Sequence, residues 1–282
     1  MTIAVAVRTM SSVIFATDSK LTAKGMSGIR ADGTPNWVEQ TYDNATKVVH
    51  DRSKGLMALA AGTVNIGQMS ALDFIAAQWI MLGDNRNDED AAIAGLLDAM
   101  ADEKRNFYTQ TTGASKPEDW PGPSLLLAIP SHEPAFTPRI WTVDMSGERY
   151  QHTEILNQPG VWLDGSFDEV FSLLYGFHPA VSTELGASLN LDATAFRKQL
   201  AGLRVLRPIE QLNLWTMPLQ DAIDFAVFLA SVQIEMDRFL PGSPACGGPI
   251  DVMVLRMVPS PEILTYPGKA LHHPRNRGTV TP

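Results

Sequence analysis

Thr2 and Asp18 are the residues from which chemistry can first be argued. Thr2 stands directly behind Met1, at the head of the apolar run Ile3-Ala4-Val5-Ala6-Val7. A second apolar run, Val13-Ile14-Phe15-Ala16, follows the polar turn Arg8-Thr9-Met10-Ser11-Ser12 and ends in Thr17-Asp18. Two short apolar runs joined by a polar turn predict an antiparallel hairpin. The end of its second strand then lies beside the start of its first, which brings Asp18 near the amino end of Thr2. Removal of Met1 leaves Thr2 with a hydroxyl and a free α-amine on one residue, a nucleophile that carries its own base. A threonine at position two is a weak signal by itself, so the rest of the chain has to support it.

Composition bounds the possibilities. The 282 residues are 45% hydrophobic and 19% charged, enough apolar content for one large packed domain or two small ones. A net charge of -9 argues against nucleic acid as the main partner. The one cysteine, Cys246, cannot form an internal disulfide, which points to a reducing compartment. The apolar start lacks a basic leader region, and no run approaches the length of a membrane span. The expectation is a cytoplasmic protein in which loss of Met1 alone exposes Thr2.

The elements that must position these residues follow from periodicity. Strands are predicted over 46–50, 55–61, 124–129, 139–144, 149–152, 160–163, 247–255 and 262–266. Residues 24–40, with Gly25, Gly28, Gly33 and Pro35, read as a loop or an irregular extension of a hairpin. After Gly62-Thr63 the spacing turns helical: Ile66, Met69, Leu72, Phe74, Ile75, Trp79 and Ile80 predict a helix ending near Gly83. Further helices are predicted over 91–107, from Asp164-Gly165-Ser166 to Tyr175, over 192–203, and from Met217 to about Asp237. Residues 271–282 read as a disordered tail. Strands in runs and helices in runs, without βαβ alternation, suggest two packed sheets with helices outside, an α+β domain over 1–270.

In this order the residues resemble the proteasome β-subunit family of N-terminal-nucleophile hydrolases, and specifically its bacterial members. The matching segments are Thr2 behind Met1, Ala16-Thr17-Asp18-Ser19-Lys20, Thr46-Lys47-Val48-Val49, Ala60-Ala61-Gly62-Thr63, Leu163-Asp164-Gly165-Ser166 and Cys246-Gly247-Gly248-Pro249-Ile250-Asp251. The resemblance implies a four-layer αββα sandwich, peptide-bond hydrolysis by an N-terminal threonine, and a homo-oligomeric ring or related helical array around the active sites. It implies Thr2 as nucleophile, Asp18 as its paired acid, Lys47 as the buried lysine and Gly62 as the oxyanion donor. It further implies that Thr22 holds the substrate backbone and that Leu21, Ala45, Val49, Ala60 and Val64 line the specificity pocket. All five are apolar, so a hydrophobic residue is expected before the scissile bond. No cofactor is implied. The expected partners are further copies of the chain, a peptide or unfolded protein, and an unfoldase that the sequence does not identify; neither nucleic acid nor membrane is expected.

The physics of that set is coherent. A threonine hydroxyl is a poor nucleophile at neutral pH, but an α-amine with a pKa of about 7.7–8.0 is partly neutral there and can take its proton. A buried Lys47 cation lowers the pKa of both groups, and Asp18 keeps that cation charged and oriented. A Gly62 N–H aimed at the oxyanion is worth roughly 3 kcal/mol of barrier.

The chain also departs from the family. Asp164 stands where a serine is usual, and Ser243, three residues before Cys246-Gly247-Gly248, stands where an aspartate is usual. The expectation is an exchanged Asp164/Ser243 pair supporting the α-amine. Segments 24–40, 85–123 and 192–215 are longer than is typical, which can alter subunit contacts or cover the entrance to the site. An inactive scaffold subunit and a small-molecule amidase are the alternative readings, and Thr2, Asp18 and Lys47 together favour the peptidase over the scaffold. The six histidines show no metal-binding spacing. Cys246, with no histidine nearby, reads as a buried small residue. Lys20 reads as a structural ion-pair partner of Asp18, and Asp88-Glu89-Asp90 as charge at a helix N-terminus.

Overall fold

In the computed structural model of the chain the described residues are 2–29, 35–53, 55–63, 65–81, 88–111, 116–131, 137–188, 208–241 and 244–266. Met1, Val64, Ser243, the helix predicted over 192–203 and the tail over 271–282 lie outside them. The protein is a mixture of helices and antiparallel sheets. One five-stranded sheet runs β12 (Gly160–Gly165), β1 (Ile3–Arg8), β2 (Ser12–Thr17), β13 (Asp251–Arg256), β14 (Glu262–Thr265). The other runs β11 (Gln151–Ile155), β10 (Pro138–Asp144), β9 (Pro123–Pro130), β6 (Leu56–Gly62), β5 (Val48–Asp51). Both are antiparallel throughout. Two smaller pairs are β3 (Leu21–Ile29) with β4 (Pro35–Tyr42), and β7 (Asn65–Ile66) with β8 (Met69–Ser70). The helices are α1 (Ala71–Met81), α2 (Glu89–Thr111), α3 (Asp168–Tyr175), α4 (Pro179–Ser188), α5 (Pro208–Gln211) and α6 (Leu219–Asp237). None of the described helices is long and apolar enough to cross a membrane.

The core explains why the strands read as unbroken apolar runs. Side chains alternate between the two faces of a strand, and in the central strands both faces are covered. Leu56, Ala58 and Ala60 of β6 pack with Leu72, Ile75 and Trp79 of α1 and Leu96, Leu97 and Met100 of α2. Ile3, Val5 and Val7 of β1 pack with Ala222, Ala226, Leu229 and Ala230 of α6 and Val170 and Leu174 of α3. The intervening residues, Ala4 and Ala6 of β1 and Met57, Leu59 and Ala61 of β6, share a third cluster with side chains from both sheets.

The structure moves several predicted boundaries, among them the ends of the helix predicted over 91–107, which is α2, Glu89–Thr111. The helix predicted from Ile66 begins only at Ala71; ahead of it β7 and β8 form a small hairpin that turns at Gly67, whose φ of 62° is left-handed. The two outlying members of the predicted stripe, Met69 and Ile80, are exposed. The segment at Asp164 continues as strand through Gly165, paired with Ile3, and α3 starts at Asp168. The strand predicted from Gly247 starts at Asp251, because the backbone of Gly247 bonds instead to Asp18 and Ser19. The predicted strand over 149–152 is β11, shifted to Gln151–Ile155. Segment 24–40 contributes to an extended pair, β3 and β4, with a register irregularity between Met26 and Gly28. Asp88 does cap α2, its Oδ1 accepting the Ala91 N–H at 3.0 Å.

A second buried lysine fastens this scaffold. Lys104 of α2 is 2% exposed, and its ammonium donates to the carbonyls of Met145, Gly147 (2.7 Å) and Trp120 (3.3 Å). Burial lowers its pKa to about 8, against an opposing pull from Asp144. An unfolded lysine titrates near pH 10.4, at about the model-peptide value. Between those values the unfolded chain holds the proton and the folded chain does not, so this group makes stability rise with pH across that window. Urea midpoints measured for wild type and Lys104→Met should therefore diverge in favour of wild type from pH 8 to pH 10. A constant difference across that range contradicts the assignment.

Candidate active site

Asp18 sits just past the end of β2, with no exposed surface. Its carboxylate accepts four donors from four separate segments. Oδ1 takes the Lys47 ammonium at 2.7 Å and the Ile3 N–H at 3.3 Å; Oδ2 takes the Gly247 N–H at 3.0 Å and the Lys20 N–H at 3.2 Å. Burial pushes the Asp18 carboxyl above the usual carboxylate range, while Lys47 and the Gly247 and Lys20 N–H groups pull the other way. Lys20 thus meets Asp18 through its backbone N–H, where the sequence suggested an ion pair.

Lys47 stands just before β5 and is 1% exposed. Its carbonyl accepts the Ala60 N–H at 2.9 Å, which anchors it to β6. Asp18 follows a strand of one sheet and Lys47 precedes a strand of the other, so their ion pair bridges the two sheets. The hairpin places Thr17 opposite Ala4, and the Ile3 bond to Asp18 sets the carboxylate one residue from Thr2.

Thr2 is fixed through its own backbone. Its carbonyl accepts the Ser166 N–H at 2.7 Å. Gly165, left-handed at φ 77°, lies so close that a Cβ there would fall 1.9 Å from the Thr2 carbonyl oxygen and 3.8 Å from the Ala61 Cβ. Thr2, Gly165 and the end of β6 are therefore in contact range, and Gly62 follows Ala61 directly. Gly62 is exposed, with φ 76° and open space where its Cβ would be.

Asp164 lies beside Ala4 on β12. Its Oδ1 accepts the Gly165 N–H at 2.6 Å, and its Oδ2 accepts the hydroxyl of Ser124 from β9. The expected partner Ser243 is not among the described residues, whereas Ser124 is a partner the sequence did not suggest. Cys246 is buried, and burial, reinforced by Asp18 and Asp237, holds its thiol far above the usual range, as suits a small core residue. Its N–H donates to Asp237 Oδ2 at 2.8 Å, which sets the approach of Gly247 to Asp18.

Of the residues assigned to substrate binding, Leu21, Thr22 and Ala45 are half-buried near the Asp18 turn, where the Ala45 N–H donates to the Ser19 carbonyl at 2.9 Å. Ala60 is fully buried beneath α1, and Val49 packs against the same core. A cleft of about 500 Å³ between β5 and α1, lined in part by Val49, His50, Arg52, Leu56 and Ile80, contains none of Thr2, Asp18, Lys47 or Gly62. Among the described residues no group of three His, Cys, Asp or Glu side chains could hold a metal ion.

No protein-family profile matches the sequence, and no curated protein does. Among solved structures, the Anbu (Gly-1) mutant from Hyphomicrobium sp. strain MC1 is similar to this chain. The match covers 91% of this chain and 82% of that one, with 15% sequence identity and a TM-score of 0.46. A likeness at that level does not establish a shared fold, so the chemistry of the site rests on its own geometry.

Gly62 and Gly165, both left-handed, predict losses of different size. Gly62→Ala meets no neighbour, so it should cost about 1–2 kcal/mol from the backbone conformation alone. Gly165→Ala adds a collision with the Thr2 carbonyl and should cost more than ~3 kcal/mol. Equilibrium denaturation of the two variants checks this, and equal losses contradict the placement of Thr2 against Gly165.

Proposed function

We propose that this chain is a threonine-type N-terminal-nucleophile hydrolase acting on peptide bonds, a single domain of four-layer αββα architecture. The observation that carries the reading is the double use of Asp18 Oδ1, which accepts both the buried Lys47 ammonium and the N–H of Ile3, the residue bonded to Thr2. The three core clusters support the layering: helix on sheet, sheet on sheet, sheet on helix.

In this mechanism loss of Met1 comes first. With Met1 attached, the Thr2 nitrogen is an amide and Thr2 is 3% exposed. After its removal the Thr2 amine takes the hydroxyl proton and Oγ attacks the scissile carbonyl. The Lys47 charge stabilises the developing alkoxide, and the Gly62 N–H donates to the oxyanion. The C–N bond breaks as the departing amine takes the proton from the Thr2 ammonium, leaving an ester on Oγ that water hydrolyses. Asp164 supports the amine from β12. Thr22 holds the substrate backbone, and Leu21 and Ala45 belong to the side of the site that receives the residue before the scissile bond; Val49 and Ala60 pack toward α1 instead.

Assembly belongs to the same reading. Ile80 and Met81 at the end of α1 are 63% and 76% exposed, apolar surface that a neighbouring copy would cover in a ring or helical array. Sedimentation at micromolar concentration should give a species several times the 30.8 kDa of the monomer, and a monomer contradicts the assembly.

The chemistry is tested by turnover. Active preparations should have an intact mass lacking Met1 and should hydrolyse members of a peptide panel in preference to small amides. Lys47→Ala should lower kcat by at least ~10²-fold and cost about 3–5 kcal/mol of stability, because it strands the buried Asp18 charge. Thr2→Ala should be equally inactive, and Thr2→Ser should keep part of the activity. A folded Lys47→Ala protein that turns over at the wild-type rate makes Lys47 structural and leaves the scaffold reading standing.

A further inference from the structure

Asp18 and Lys47 are one tie across the gap between the sheets; Ser124 and Asp164 are a second, at the same end. Ser124 is opposite Ala61 on β6, the residue before Gly62. Asp164 is opposite Ala4 on β1, two residues after Thr2. Alternation places both side chains in the gap. Ser124 shares a face of β9 with Leu126 and Ala128, and Asp164 shares a face of β12 with Trp162, all of which pack in the cluster between the sheets. The hydroxyl of Ser124 donates to Asp164 Oδ2, while Asp164 Oδ1 holds the N–H of Gly165, the residue pressed against the Thr2 carbonyl. One short path of hydrogen bonds thus joins the strand beside Gly62 to the strand beside Thr2.

We propose that Ser124 is a positioning residue that fixes the separation between the Thr2 nucleophile and the Gly62 oxyanion donor through its hydrogen bond to Asp164. The proposal rests on the hydrolase reading and adds a residue to it. Attack by Thr2 and stabilisation at Gly62 act on the same carbonyl group, so their spacing must be held across two separate sheets. A hydrogen bond between a neutral hydroxyl and a carboxylate is short and directional, and half-buried Ser124 is well placed to set that spacing without touching substrate.

The test is steady-state kinetics on the mature enzyme with a hydrolysed peptide, together with thermal unfolding of each variant. Ser124→Ala should lower kcat by roughly 10- to 100-fold, the cost of a misplacement near 1 Å. KM should stay within about twofold, since binding contacts are untouched. Ser124→Thr keeps the hydroxyl and should restore most of kcat. Ser124→Ala and Asp164→Ala should be strongly non-additive in kcat when combined. If Ser124→Ala unfolds too readily to assay, the pair Ser124→Thr and Ser124→Val decides the question: the two side chains have the same shape and differ in the hydroxyl, so kcat should be kept in the first and lost in the second, and equal kcat in both overturns the proposal. A wild-type kcat in Ser124→Ala with a lowered melting temperature makes the bond merely structural and overturns the proposal while leaving the hydrolase reading intact. A mature wild-type protein with no turnover on any peptide or amide overturns the hydrolase reading, and this proposal with it.

Discussion

The buried pair of Asp18 and Lys47 is the interaction on which the site depends. Both side chains are withdrawn from water, at 0% and 1% exposure, with 2.7 Å between charged atoms. Desolvation of such a pair costs several kcal/mol per ion, and mutual attraction offsets it only when the remaining lone pairs are also satisfied. Here the N–H groups of Ile3, Lys20 and Gly247 do that for Asp18. The start of β1, the end of β2, the approach to β13 and the approach to β5 must therefore all converge on one carboxylate. A fold that brought only three of them together would leave a charged oxygen underbonded in the core. The expense of burying the pair makes little sense for stability alone, because two apolar side chains would fill the same space more cheaply. It makes sense if a fixed positive charge is needed one residue from the chain's first hydroxyl.

Much of this was legible in the sequence because the pattern was local. The apolar runs around the turn 8–12 could form a hairpin in one way, and that hairpin alone puts Asp18 beside Thr2. Residues 219–237 carry a helical stripe ending near Asp237, and α6 follows it closely. The glycine at 62 ends β6 where the change from strand to helical spacing placed a boundary. What escaped was non-local or carried by backbone atoms. The bond between Ser124 and Asp164 joins residues forty apart in different sheets, and nothing in either segment announces the other. The N–H of Gly247 has no side-chain signature, so its segment read as strand although its hydrogen bonds go to Asp18 and Ser19. The helical spacing that begins at Ile66 was misleading because Gly67 permits a left-handed turn, and a two-strand hairpin fits there ahead of α1.

Close backbone packing does the remaining positioning. Gly165 admits the Thr2 carbonyl where any side chain would exclude it, and Gly248, also left-handed, lies against the Asp43 carbonyl and Ser19. Asp237 and Gln233 of α6 hold the Cys246 N–H and the first turn of α3, so the outer helices brace the segment that reaches Asp18. The sheets supply two rigid edges, the glycines let those edges close on Thr2, and the ion pair sets the charge between them. Rigid support of this kind suits a reaction in which a weak nucleophile has to be oriented as well as activated.

In the proposed reaction Thr2 becomes a nucleophile once Met1 is gone. The most direct test is to treat the mature protein with a peptide carrying a hydroxyl-directed electrophile, digest it, and find the modified residue by mass spectrometry. A stoichiometric adduct should form on the N-terminal peptide at Thr2 in wild type and be absent from Lys47→Ala. An unmodified Thr2 in protein shown to lack Met1, or an adduct carried by another residue, would contradict that role for Thr2.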